Sequence, residues 1–452
     1  GQGPYLCSMD PFLKRFPKSF PVILILGGML MNKLVRKMAV LALGGTLSLL
    51  LTACPGPSSA GTGGNQVTVQ LQDPQGQHMA TYYRVGSGSW QQLSFQNNQA
   101  TFSAQGTVDY EIATRCRGGG NVADLQFFKA STARSRQVNV VCSHGQGTQR
   151  VSVTFNVRLP AQLGGVSVQD GEVVGGHGAD SSVSSLSATV TAQLPQGQQQ
   201  ALVALFRIGN QGLQPIGGKL VSVNATNGAT VTVDTQGWAA MSAKTISATL
   251  PGGFQGQGFV VFFKDGMKDA PFVGAYFPNQ PGFDRYGVLS GAGGVYLGNF
   301  MAKDSGYNNQ LMVLKDTGGN DWTVSLPQPW TSSQCSPSGA SFTFSYPNAQ
   351  AFTLDLNGLA EEQGTGSPLR VSVLVYAAGS STTYTLPNLG SQLGYTFRTG
   401  TSVSYTVGAT LRGVDSPIFS TFLGSSELTL SEALLRNLDL AFALMRGNYN
   451  VP

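Results

Sequence analysis

The chain has 452 residues, of which only 11% are charged, with 59 glycines and a formal net charge of +5. Six basic residues and one acid precede Cys54, so the whole positive excess lies before that cysteine and the remainder is neutral. That excludes a global basic field for nucleic acid in the remainder, and its Val, Tyr and Phe in alternation are not the charge-rich composition of disorder.

Residues 1–30 carry Lys14, Arg15 and Lys18 ahead of a short apolar run, and read as an upstream extension. The next stretch, Met31 to Cys54, is MNKLVRKMAVLALGGTLSLLLTAC. Lys33, Arg36 and Lys37 form a positive start, and Met38 to Leu51 is an uncharged run. A membrane span needs about 20 apolar residues, so this pattern predicts a secretory signal. Its last four residues, Leu51-Thr52-Ala53-Cys54, resemble the lipobox of bacterial lipoproteins. The resemblance implies that the Cys54 thiol accepts a diacylglyceryl group, that a peptidase cuts before it, and that acyl chains on Cys54 hold the chain to a membrane. Pro55 to Gln66 is uncharged and Gly/Ser-rich, the composition of a flexible tether. The expected layout is thus 1–53 extension and signal, 54–66 lipidated Cys and tether, then three all-β modules over 67–160, 161–279 and 280–452.

In the first module Val67, Val69 and Leu71 alternate, as do Val108, Tyr110, Ile112, Thr114 and Cys116, then Val138, Val140 and Cys142, then Val151, Val153, Phe155 and Val157. Seven or eight short strands at this spacing predict a β-sandwich. Cys116 and Cys142 share the inward parity, which predicts a disulfide between them. Tyr82, Trp90, the run Tyr110-Glu-Ile-Ala and Cys116 resemble carboxypeptidase-regulatory or transthyretin-like and Ig-like modules. In the second module Leu186 to Leu194, Ala201 to Ile208 and Lys219 to Val223 read as strands between Pro-Gly turns. The third module repeats the texture up to one short helix, Leu430 to Asn437, expected from a capping-box spacing at Thr429 and Glu432. A closing strand through Leu438, Leu440, Phe442 and Leu444 follows.

Chemistry is sparse. His78, His144 and His177 are expected in loops without ligand spacing, and there is no Cys-x-x-Cys, Gly-x-Ser-x-Gly or phosphate-loop motif. Glu361-Glu362 reads as a solvated loop rather than a glycosidase pair across a cleft. The Asp/Asn turns 304–309 and 316–321 flank one predicted strand and lie at its opposite ends, unlike a calcium cage. Cys335 sits in a polar stretch and is expected to be unpaired or paired between chains. No catalytic residue, metal or cofactor is expected, and the chain is not read as an enzyme.

Charge is uneven only by module: net +4, −1 and −3 in order. Arg115 and Arg117 flank Cys116, and Arg134 and Arg136 are expected to reach the same edge if Cys116 meets Cys142. Guanidinium forks there would suit phosphate or sulfate oxygens of nucleic acid or an acidic glycan. The leading expectation is a lipid-anchored, extracytoplasmic scaffold or adhesion subunit working with other cell-envelope proteins. Its layout resembles uncharacterised Deinococcus-type envelope lipoproteins, some of them associated with surface layers. The alternative is polyanion binding through the first module.

Overall fold

In the computed structural model the described residues are 64–118, 122–145, 149–416 and 430–452. The signal stretch, Cys54, most of the tether and Thr429 lie outside them. Alternation becomes strand almost everywhere, and the fold is all-β, built of packed sandwiches.

The first sandwich sets a three-stranded sheet against a larger one. Gln66–Gln72 pairs antiparallel with Gln99–Ser103 and parallel with Gln137–Val141. Opposite lie His78–Val85, Asp109–Cys116 and Leu125–Ser131. Val67, Val69, Phe102 and Val140 meet Tyr110, Ile112 and Phe128 in the core between them. Cys116 ends a strand of one sheet, Cys142 follows a strand of the other, and the two form the expected disulfide.

The second sandwich starts earlier than the sequence suggested. Arg150–Arg158 pairs with Ser187–Pro195 and Ala229–Val233, and its Val151, Val153, Phe155 and Val157 belong to the second core. The boundary therefore falls before Arg150 rather than at 160. The long hairpin Gly197–Gly209 and Gly212–Ala225 covers that core with Val203 and Leu205, while Leu202, Ala204 and Phe206 face the other core. Burial on both faces explains the unbroken apolar run Ala201 to Phe206.

The third unit also begins early. Ala239–Ala248 leaves the hairpin to pair with Asp284–Leu289 and Trp322–Val324, so it belongs with the chain beyond 280. From there the pairing runs without a break. Phe254–Phe263, Val295–Asp304, Asn309–Asp316, Asp439–Asn450, Ser402–Arg412, Ala351–Glu362 and Pro368–Tyr376 are successive neighbours. Pro368–Tyr376 then pairs parallel with Leu125–Ser131 of the first sandwich, Val371 beside Leu125 and Val375 beside Lys129. The first and third units consequently share one sheet and one hydrophobic core. The three-stranded sheet Cys335–Ser338, Ser341–Phe344 and Thr382–Thr385 lies apart from that large sheet in pairing, and its Phe342, Phe344 and Tyr384 join the shared core.

The late helix is one turn, Glu432–Leu435, capped by the Ser431 side chain on the Leu434 amide at 3.2 Å. The cap is Ser431 rather than Thr429. Cys335 opens a strand and is buried, 4% exposed, instead of lying in a polar loop.

Candidate functional site

The four arginines do not share an edge. Asp109–Cys116 runs antiparallel to Leu125–Ser131, with Arg115 opposite Leu125 and Asp109 opposite Ser131. Arg115 and Arg117 thus mark one end of the strand, and Arg134 and Arg136, just past Ser131, mark the other, about 20 Å away at ~3.3 Å per residue. The expectation failed because Gln137–Val141 must travel back along the sandwich before Cys142 can reach Cys116.

Nor are they a free basic surface. Arg115 is buried and joins the first and third units: its Nη1 donates to the carbonyls of Leu393 at 3.1 Å and Gly394 at 3.3 Å, and its Nη2 to Glu362 Oε1 at 3.0 Å. Arg134 reaches Asp415 at 3.2 Å and lies over the Tyr376 ring. Arg136 donates to the carbonyls of Ala104 at 2.8 Å and Gly106 at 2.9 Å, tying its own loop. Arg117 alone of the four is exposed without a described side-chain partner. Glu361 and Glu362 end the strand Ala351–Glu362 and pair with Arg398 and Arg115, so they are not a solvated loop. The Thr365 hydroxyl, and then Arg115, hold the Glu362 carboxyl below its usual range.

A polar chain links two paired strands of the first sandwich. His78 opens a strand; its Nε2 is 2.8 Å from Thr81 Oγ1, which is 2.9 Å from Thr114 Oγ1. Burial lowers the His78 pKa against the opposing pull of Asp73. Asp73 itself accepts from the Ser143 hydroxyl and the Gln77 and His78 amides, closing the loop beside the disulfide.

A second cluster was not legible in the sequence. Asp269, from the loop before Phe272–Tyr276, accepts from Arg150 Nη1 at 3.0 Å and Nη2 at 3.2 Å. His177 Nδ1 stands 3.7 Å from the same carboxylate, and His177 Nε2 accepts the Leu202 amide at 3.0 Å. That amide fixes the tautomer, with the proton on Nδ1 facing Asp269. Burial works to raise the Asp269 pKa, but the neighbouring His177 and Arg150 outweigh it and hold the group at about 2. The cluster ties the second sandwich to the third unit. The only signal in sequence is a histidine between two glycines, at a turn where His177 takes a φ of 51°.

Asp355 is a buried carboxyl without compensation. It lies in the middle of Ala351–Glu362, 2% exposed, and neither carboxyl oxygen has a hydrogen-bond partner. Burial pushes its pKa well above the usual carboxylate value, and the charge of Arg370 does not offset this. Burial likewise pushes the Cys335 thiol up to about 12.

Among the described residues no three His, Cys, Asp or Glu side chains are grouped to hold a metal ion, and no helix is long and apolar enough to cross a membrane. The Asp304 and Asp316 carboxylates are turn caps, accepting the amides of Asn308 and Gly318 at 2.8 and 2.9 Å. The Arg115 and Asp269 clusters thus each tie one module to another.

No family model and no curated protein matches the chain. Among solved structures it is similar to the Bacillus anthracis TIE protein at 7% identity, covering 59% of this chain and 51% of that one, with a TM-score of 0.13. The chain thus spans about half the length of that structure. It is also similar to the FN1-FN3 domains of chicken CNTN1 at 11% identity, covering 77% and 93%, TM-score 0.12. A streptococcal ancillary pilin is similar at 11% identity, covering 59% and 99%, TM-score 0.12. At such TM-scores these likenesses carry no argument about what the chain does.

Proposed function

We propose that the chain is a rigid, lipid-anchored scaffold or adhesion subunit of the bacterial cell envelope. The observation that carries this reading is the parallel pairing of Leu125–Ser131 with Pro368–Tyr376, reinforced by Arg115 on Glu362, Leu393 and Gly394. Independent binding modules are joined by linkers across which few contacts pass. Here hydrogen bonds and a shared core lock the first and last units into one body, as suits a spacer that holds a fixed shape. Cys54 with its acyl chains would fix the body to the membrane, and the Gly/Ser tether would lift it clear of the head groups.

The test is genetic and direct. Cys54→Ala should leave an unprocessed precursor that no longer fractionates with membranes, and globomycin should accumulate a diacylated precursor of the unaltered chain. Mild-detergent capture of the mature protein should bring down other envelope proteins. Unchanged mobility and membrane association in both treatments would remove the anchor. Capture of the chain alone would remove the scaffold.

A further inference from the structure

The first and last described strands are both inner strands. Gln66–Gln72 lies between Gln99–Ser103 and Gln137–Val141. Asp439–Asn450 lies between Asn309–Asp316 and Ser402–Arg412. The first strand bonds outward on both sides: the Thr68 amide donates to the Arg136 carbonyl at 2.9 Å, and the Leu71 amide to the Asn98 carbonyl at 2.8 Å. The last strand is clasped past its end. The Val451 amide donates to the Thr401 carbonyl at 2.9 Å, and the Val451 carbonyl accepts from the Gly400 amide at 3.0 Å. Val67, Val69, Leu440, Ala441 and Ala443 are fully buried. Withdrawing either strand therefore breaks two ladders and uncovers core, where an edge strand gives up one ladder.

The first strand also has its grip backed by a covalent bond. Gln137–Val141 runs parallel to Gln66–Gln72. A pull on Gln66 toward the tether drags this neighbour the same way, away from its own far end. That far end is fixed, because Cys142 follows Val141 and is bonded to Cys116. The Cys142 amide also donates to the Gln72 carbonyl at 2.9 Å. Cys116 ends the strand Asp109–Cys116, which pairs with Leu125–Ser131. From Leu125–Ser131 the ladders pass through Pro368–Tyr376, Ala351–Glu362 and Ser402–Arg412 to Asp439–Asn450. Load can thus cross from the first strand to the last through the disulfide and adjacent strands. None of Arg150–Arg158, Ser187–Pro195 or Ala229–Val233 lies on that route.

We propose that the chain carries tension between its first and last strands, with the second sandwich held to the side of the path. A spacer that only keeps its shape would serve as well with its end strands at sheet edges. Two inner strands, one of them backed by a disulfide, fit a body pulled by its ends. The inference rests on the anchored-scaffold reading for the source of the load. A weak grip on a chain that still fractionates with membranes would defeat this proposal alone. A strong grip on a chain that does not reach membranes would defeat the anchor alone.

The experiment is single-molecule pulling of the mature chain, held by its Cys54 thiol and drawn through a handle after Pro452. Forced unfolding reports the unfolding rate, so all traces use one pulling speed. The comparison moves the first handle to the exposed Gln96, ahead of the edge strand Gln99–Ser103, as Cys54→Ser with Gln96→Cys. Two ladders resist the first geometry and one the second, so the first rupture should need about twofold more force from residue 54 than from residue 96. Reduction of the disulfide should lower the residue-54 rupture force. It should also lengthen the fully unfolded chain by about 90 Å, for a separation of 26 residues at ~3.5 Å each. Asp269→Asn, which loosens the second sandwich off the path, should leave the residue-54 rupture force unchanged. The two pulling geometries use folded protein without touching the core, so the comparison does not depend on any destabilised variant. Equal force from residues 54 and 96, a rupture force indifferent to reduction, or a fall in that force with Asp269→Asn would each overturn the proposal.

Discussion

At the scale of single residues, the informative groups are those whose ionisation the fold opposes or favours. Asp355 keeps its proton well above the usual carboxylate range because burial disfavours the charge. The unfolded chain releases that proton near pH 4. Its ionisation therefore has no effect on stability below that pH and destabilises the fold increasingly as pH rises above it. Asp355→Asn, neutral throughout, should be more stable at pH 7 by roughly 1–3 kcal/mol and should flatten the melting temperature between pH 4 and 8. Parallel profiles for the two proteins would mean the carboxylate is compensated. Asp269 has the opposite sign. Held at about 2, below the usual carboxylate range, it contributes stability above about pH 4 that is lost as pH falls through the folded value, of order 2 kcal/mol. Acid titration followed by circular dichroism should show Asp269→Asn lacking that loss and less stable at neutral pH. Cys335 is a simpler case. Buried with its thiol pushed up to about 12, it should resist a soluble maleimide until the protein unfolds.

At the scale of elements, the disulfide closes the first sandwich and Arg115 ties it to the third unit. Arg115→Met removes donors from two carbonyls, Leu393 and Gly394, and should cost about 1–3 kcal/mol. Glu362→Gln should cost less, because the glutamate is half open to water and leaves the two carbonyl bonds in place. Equal losses would show that the ion pair, not the carbonyl capture, is the fastening. Breaking Cys116–Cys142 should cost about 3–4 kcal/mol on the chain-entropy argument, and non-reducing peptide mapping should recover that pair with Cys335 free. Strands and this disulfide were legible because alternation fixes which side chains face inward: Tyr110, Ile112, Thr114 and Cys116 all do. The burial of Arg115 was not, because its parity reads as outward until a second unit covers that face. The same limit hid the boundary before Arg150. Val151, Val153, Phe155 and Val157 alternate equally well for either sandwich, and only pairing with Ser187–Pro195 decides between them. The Asp269 cluster draws on three distant stretches, and no local pattern connects them.

At the scale of the whole molecule, the first and third units should behave as one cooperative body. Residues 64–145 expressed alone would expose Phe127 and Leu125 on one face, with the free edge of Leu125–Ser131 beside them. An exposed apolar edge strand pairs promiscuously. The fragment should be poorly dispersed by NMR and prone to aggregate, while the full chain melts these units together in calorimetry. A well-folded, monomeric fragment would mean that the sequence-based division into self-sufficient modules was right after all.

That junction also sets a schedule. Leu125 emerges early in synthesis and Val371 late, yet the two lie side by side in the sheet. The amino-terminal sandwich therefore cannot finish until almost the whole polypeptide has been delivered, and the edge of Leu125–Ser131 must be kept from other partners meanwhile. Pairings between such distant stretches close slowly. For a chain exported from its amino terminus, completion would come in a single late step, when the strand Pro368–Tyr376 arrives and seals a sheet begun long before.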